Sequence, residues 1–184
     1  ELAAAGQRAF GENYVQEGVA KARELAALGL EWHLIGHLQS NKCREAAEWF
    51  DWVQSVDRLK LVAALDQARP ADRPPLNVLI QVNVDGEAGK SGCRPDEVMP
   101  LAEAVAAAPR LRLRGLMAIP EPHPDPGHRR RSFRQLRELQ QRLATRFPGV
   151  DTLSMGMSED YALAIAEGAT LVRIGTALFG PRGQ

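Results

Sequence analysis

Neither sign of charge is in excess. The 23 basic and 23 acidic residues of the 184-residue chain cancel, which argues against an electrostatic nucleic-acid binder or a membrane-surface protein. No apolar run approaches the roughly 18 residues that a membrane span needs, and no secretory signal is visible. There are only two cysteines, Cys43 and Cys93, far apart in sequence. They supply neither a disulfide framework nor a metal knuckle, and a reducing cytoplasm is the simplest location. No GxGxxG follows any predicted strand, which weakens a dinucleotide reading. Internal repeats and low-complexity tracts are absent too. What is present is the composition of an ordinary globular protein, 45% hydrophobic and 25% charged, with a length that suits a single domain over residues 1–184.

Short apolar runs alternate with amphipathic stretches. Strands are expected at residues 8–13, 31–36, 51–56, 76–84, 111–119, 150–155 and 170–174. The strongest is LNVLIQVNV at 76–84, β-branched, nearly continuous and so suited to burial on both faces. Helices are expected at 14–28, 41–50, 57–68, up to about residue 107, at 129–147 and at 159–167. Val15, Val19, Ala22 and Ala26 share a face of the first, and Asp57 can cap the third, with Leu59, Val62, Ala63 and Leu65 inward. Phe133, Leu136, Leu139 and Leu143 form a stripe on the longest. Each strand is followed by a helix except the last. Strict alternation of this kind predicts a parallel sheet with crossover helices.

Dividing 184 residues by seven units gives about 26 each, near the spacing of a (β/α)8 barrel of ~250 residues. Seven strands do not close such a barrel, and the chain opens on Glu1 inside what reads as a helix end. The expectation is therefore an α/β, TIM-type (β/α)8 barrel lacking its first strand, in an N-terminally truncated chain. An open doubly wound sheet is the alternative.

In such a barrel the site lies at the C-terminal ends of the strands. Polar and Gly residues gather there: Glu12, Asn13 and Tyr14; Gly36 to Lys42; Asn83 to Gly92; Ser154 to Ser158; Arg173 to Thr176. Phosphate in these barrels often sits between the loops after the last two strands. Gly175 would let backbone N–H groups approach an anion, and Ser158 and Thr176 add hydroxyls. Ser158 is also expected to begin a helix, so it can instead be a plain N-cap, with Gly175 a plain turn. Glu159 and Asp160 favour that plainer reading, because they would repel an anion they faced. Arg173 shares a strand face with Gly175 and, if inward, is a buried cation in need of an acceptor. A ligand heteroatom or an acidic side chain could serve.

His33 and His37 could share a face, but no third ligand stands at metal-site spacing, so no metal is expected. The basic run at 128–131 opens an amphipathic helix and reads as a solvated face. Cys43 and Cys93 lack a histidine partner motif and are not expected to be nucleophiles.

Four motifs in order carry a specific resemblance: FGENYVQE at 10–17, WHLIGHLQSNK at 32–42, SMGMS at 154–158 and RIGTALFG at 173–180. With them the chain resembles, over essentially its whole length, the pyridoxal-phosphate homeostasis proteins. These are single-domain relatives of the alanine-racemase barrel, among the fold type III pyridoxal-phosphate proteins. The resemblance implies a barrel holding pyridoxal 5′-phosphate at its mouth. By motif, Ser158, Gly175 and Thr176 resemble phosphate contacts, and Arg173 resembles the arginine facing the pyridine nitrogen. Asn13 and His37 resemble ring-side contacts. A cation beside that nitrogen disfavours its protonation and damps carbanion chemistry. The family's Schiff-base lysine lies upstream of the first motif, so none of Lys21, Lys42, Lys60 and Lys90 takes that part, and no catalytic residue is expected in this chain.

The resemblance thus implies a cytoplasmic cofactor carrier without turnover, a monomer or weak dimer, regulating pyridoxal-phosphate supply and amino-acid and keto-acid balance. No nucleic-acid or membrane partner is expected. A fold type III amino-acid racemase is the enzymatic alternative. It would need a second, β domain and a tyrosine base in a context that neither Tyr14 nor Tyr161 occupies. A barrel for another phosphorylated metabolite, or for a protein partner alone, is the third.

Overall fold

The computed structural model describes residues 1–180. Seven strands lie side by side in chain order, every pair parallel. They are β1 (Ala9–Glu12), β2 (Glu31–Leu34), β3 (Trp52–Val56), β4 (Leu76–Gln81), β5 (Leu111–Met117), β6 (Thr152–Met157) and β7 (Leu171–Arg173). A doubly wound sheet shuffles its strands out of sequence order, so that alternative falls. The sheet also curls. Ser154 on β6 donates to Gln54 on β3 at 2.7 Å, although three strand spacings of about 4.8 Å would separate those strands in a flat sheet. The result is a nearly closed barrel in which, among the described residues, β1 and β7 each pair on one side only.

The crossover helices are α1 (Val15–Glu24), α2 (Cys43–Trp49), α3 (Leu59–Ala68), α4 (Val98–Ala107), α5 (Pro126–Arg146) and α6 (Tyr161–Ala166), and a short α7 (Thr176–Phe179) follows β7. Their apolar stripes meet the outward side chains of the strands in one continuous core, from Val15 and Val19 through Phe50, Leu65, Val78 and Leu116 to Phe133 and Leu153. Trp52, Leu79 and Met117 form a separate buried cluster. Trp52 shares its strand face with Gln54, so this second cluster lies inside the barrel. No described helix is long and apolar enough to cross a membrane.

The structure corrects several local expectations. Asp57 does not cap α3; it accepts from Gly92 N at 3.3 Å and pairs with Arg58 at 2.6 Å. The buried stripe of α3 is Leu61, Val62 and Leu65, while Leu59 is exposed. α5 starts at Pro126, three residues earlier than expected, because the Asp125 side chain accepts from Gly127 N at 2.8 Å and His128 N at 3.1 Å. A proline at the first helical position loses no intrahelical bond. Ala26 leaves the α1 face and lies exposed in a 3-10 turn. The basic run is more than a solvated face: Arg130, Arg134 and Arg137 converge on the buried Glu167 carboxylate at 3.6, 3.4 and 3.3 Å.

Candidate functional site

The loops after β6 and β7 meet at the C-terminal rim. Ser158 Oγ accepts hydrogen bonds from Gly175 N and Ala177 N, both at 3.3 Å. Ser158 is therefore not an N-cap. α6 begins at Tyr161, and the serine instead ties two rim turns together. Asp160 is occupied as well, its Oδ1 accepting from Met157 N at 2.7 Å. A side-chain carbon added at Gly175 would meet nothing within 4 Å. The exposed Thr176 stands beside it, so an exposed hydroxyl-bearing residue and a bare stretch of backbone adjoin open space.

Arg173 closes β7 two residues before Gly175. Its Nη1 donates to Ser154 Oγ at 2.6 Å and its Nη2 to the Ala118 carbonyl at 2.9 Å. Both acceptors are neutral, and among the described residues no carboxylate pairs with this guanidinium. Burial pushes it down to about 10, and the charge of Asp160 offsets only part of that. A cation enclosed with neutral partners alone has unspent capacity for an acceptor on a ligand. Of the two acceptors weighed from the sequence, the acidic side chain is absent among the described residues.

On the other side of the rim, Asn13 follows β1 and His37 follows β2. They are close neighbours, since a side chain at Gly36 would run into the Asn13 carbonyl. His37 Nδ1 lies 3.1 Å from Ser91 Oγ, in the loop after β4. All six residues singled out in the sequence thus stand on one rim, in two groups. The β6–β7 group is interlocked by hydrogen bonds; no described hydrogen bond joins it to Asn13 or His37.

The remaining candidates fall away. His33 points into the barrel, where Gln54 Nε2 lies 2.9 Å from its Nδ1, and no described group of His, Cys, Asp and Glu could hold a metal. Cys43 and Cys93 are buried, and burial pushes both thiols up, Cys93 to about 12. Neither is a thiolate at neutral pH. Lys21, Lys42 and Lys90 each pair with a carboxylate. Ser154, Gln54 and Ser91, which hold the rim residues in place, were not assigned from sequence. The signal was present for Gln54, a polar residue two positions from Trp52 on a strand whose every residue is buried.

The family profile described as "Alanine racemase, N-terminal domain" matches residues 1–183. The pyridoxal phosphate homeostasis protein of Pseudomonas aeruginosa is 60% identical over 182 residues, 99% of this chain and 78% of that protein. Its counterpart in Escherichia coli K12 is 57% identical over 97% of this chain and 77% of that protein. Among solved structures, PipY of Synechococcus elongatus with pyridoxal phosphate bound superposes with a TM-score of 0.84 at 41% identity, covering 96% of this chain and 84% of that one. Alanine racemase of Corynebacterium glutamicum shares the fold, with a TM-score of 0.71 at 18% identity over 100% of this chain and 50% of that one. Rim motifs, strand order and sequence agree: the chain belongs to the alanine-racemase N-terminal-domain family and, within it, to the pyridoxal phosphate homeostasis proteins.

Proposed function

We propose that this protein binds pyridoxal 5′-phosphate at the β6–β7 rim and acts in its intracellular homeostasis, holding and delivering the cofactor without turning over a substrate. The observation that carries this reading is the pairing of two features within one hydrogen-bonded unit. Ser158 locks the turns that present Gly175 and Thr176, and Arg173 waits beside them with neutral partners only. The residues fit the group. A phosphate ester needs hydroxyl donors, which Ser158 and Thr176 supply, over a backbone with no side chain in the way, which Gly175 supplies. A pyridine nitrogen needs a donor, and a guanidinium offers nothing else. The names of the relatives and the ligand of PipY support the same choice.

Each residue has a separate task. Ser158 and Thr176 orient the phosphate, and Gly175 leaves it room. Arg173 donates to the ring nitrogen and, being a cation, keeps a proton off it. Asn13 and His37 border the ring from the β1–β2 side. When bound, pyridoxal phosphate supplies an electrophilic aldehyde and a conjugated ring; with the nitrogen unprotonated that ring withdraws electrons weakly, which suits storage better than turnover.

Titration of the protein with pyridoxal 5′-phosphate, followed by absorbance and by retention on dialysis, tests the site. The double variant Ser158→Ala, Thr176→Val should weaken retention by about 1–3 kcal/mol, the scale of hydrogen bonds to charged groups. Unchanged retention would reject the phosphate assignment. Formation of D-alanine from L-alanine above background would reject the carrier reading in favour of a racemase.

A further inference from the structure

Behind Arg173 a chain of hydrogen bonds crosses the barrel from one end to the other. Arg173 Nη1 donates to Ser154 Oγ at 2.6 Å, and Ser154 Oγ donates to Gln54 Oε1 at 2.7 Å. Gln54 Nε2 reaches His33 Nδ1 at 2.9 Å, and His33 Nε2 reaches Glu31 Oε1 at 2.8 Å. The middle of the chain is sealed, with Ser154, Gln54 and His33 at 0, 1 and 4% exposure. Glu31 opens β2 at the N-terminal end of the barrel, and its side chain is 47% exposed. Trp52 stacks on the His33 ring at 5.1 Å and 7°, fixing its plane.

The two ends set the direction of every bond. Arg173 can only donate, so Ser154 Oγ accepts from it and gives its single proton to the Gln54 carbonyl oxygen. The amide NH2 of Gln54 then faces His33 Nδ1, which must carry a lone pair. His33 is left as the neutral Nε2–H tautomer, donating to the Glu31 carboxylate. That hydrogen bond holds the Glu31 carboxyl below its ordinary range. All three intervening dipoles turn their negative ends toward Arg173 and their positive ends toward Glu31. The cation that lacks a carboxylate beside it is served by one at the far end.

We propose that Ser154, Gln54 and His33, anchored by Glu31, are positioning residues that fix which N–H groups of Arg173 face the ring nitrogen of the ligand. The inference deepens the pyridoxal-phosphate reading and rests on it for the identity of the ring. The relay pins one edge of the guanidinium to Ser154, and the Ala118 carbonyl pins its other terminal nitrogen. Removing the relay would leave the cation present but held at one terminal nitrogen only.

The test has a ligand-free and a ligand-bound arm. In 15N spectra of the ligand-free protein, His33 should show a protonated Nε2 and a bare Nδ1, and the Arg173 guanidinium protons should be resolved and slow to exchange. In Gln54→Leu the guanidinium signals should collapse into fast exchange. Ser154→Ala, which removes no packing volume beyond one oxygen, should do the same and serves if the leucine variant folds poorly. With ligand, Gln54→Leu should bind pyridoxal 5′-phosphate about tenfold more weakly. It should leave unchanged the affinity for the 1-deaza analogue, which has carbon in place of the ring nitrogen. Equal losses for both ligands, or for neither, would overturn the proposal, as would guanidinium signals that survive in both variants. A wild-type protein that binds neither ligand would instead refute the pyridoxal-phosphate site, and the spectra alone would then decide whether the relay holds Arg173.

Discussion

Two glycines separate what the fold needs from what the ligand needs. Gly115 on β5 has φ +151°, and a side-chain carbon there would lie 1.8 Å from the Thr152 carbonyl on β6. Gly175 has a negative φ of −114°, and a carbon added to it would touch nothing. The two substitutions should therefore part company. Gly115→Ala should cost about 3 kcal/mol or more, because backbone strain and a clash with a neighbouring strand act together. Gly175→Ala should change stability by less than about 0.5 kcal/mol, as substitutions away from packed features do. It should still lower affinity for pyridoxal 5′-phosphate, since a phosphate is what the methyl would displace. Urea midpoints and ligand titrations of both variants measure this. A Gly175→Ala protein with full affinity would mean that the phosphate lies elsewhere. Gly175 was legible in the sequence because it stands in the motif RIGTALFG at 173–180, beside Thr176. Gln54 and Ser154 were not assigned, because their partners lie 21 and 19 residues away or, for each other, 100. Only closure of the barrel brings them together.

At the scale of elements, Arg114 joins four strands at the N-terminal end of the barrel. From β5 it donates to Asp151 just before β6, with Nη2 to Oδ2 at 2.6 Å, and to Asn77 on β4 at 3.3 Å. Its guanidinium also lies 4.8 Å over the Trp52 ring of β3. The hydrogen bonds from Arg114 hold the Asp151 carboxyl below its ordinary value of 3.8. A carboxylate with a depressed native value binds its proton later than the unfolded chain does. Its contribution is complete above the unfolded chain's value and is lost as pH falls from there through the native one. Arg114→Met should flatten this acid limb: stability measured by urea between about pH 4 and pH 2 should fall less steeply than in the parent. Parallel curves would show that the pair contributes nothing. The elements themselves were largely readable, because a strand buried on both faces, such as β4, leaves an unbroken apolar run, and α5 leaves a clean stripe. Their ends were less so. Asp57 looked like a cap, but its carboxylate is claimed by Gly92 and Arg58 from outside the helix, and α3 accordingly starts later. Four prolines at 120–126 hid the start of α5, although Asp125 followed by Pro126 is a cap and a first helical residue. α7 is too short to leave any period at all.

Across the whole molecule the two ends of the barrel divide the labour. The C-terminal rim carries the open glycine, the exposed Thr176 and the half-buried cation; its turns are held by two hydrogen bonds of 3.3 Å to Ser158. The opposite end is stitched shut. There Arg69, 2% exposed, donates from Nη1 to the Ala47 and Phe50 carbonyls at 2.7 and 2.8 Å, and from Nε to the Pro74 carbonyl at 2.9 Å. One side chain thereby ties the end of α2 and the entry to β3 to the turn before β4. No carboxylate pairs with it among the described residues, and burial pushes its guanidinium down, so its role is to satisfy three backbone acceptors that would otherwise be orphaned. Arg69→Met should leave those carbonyls unpaired and cost about 3 kcal/mol, or roughly 6–12 °C in Tm for a chain of this size. Pyridoxal 5′-phosphate affinity measured well below the lowered Tm should be unchanged, because nothing on the rim contacts Arg69. Calorimetry and ligand titration of the same preparation supply both numbers. A variant that melts early and also binds weakly would show that strain passes along the strands from one end to the other, and that the barrel does not separate its stability from its site.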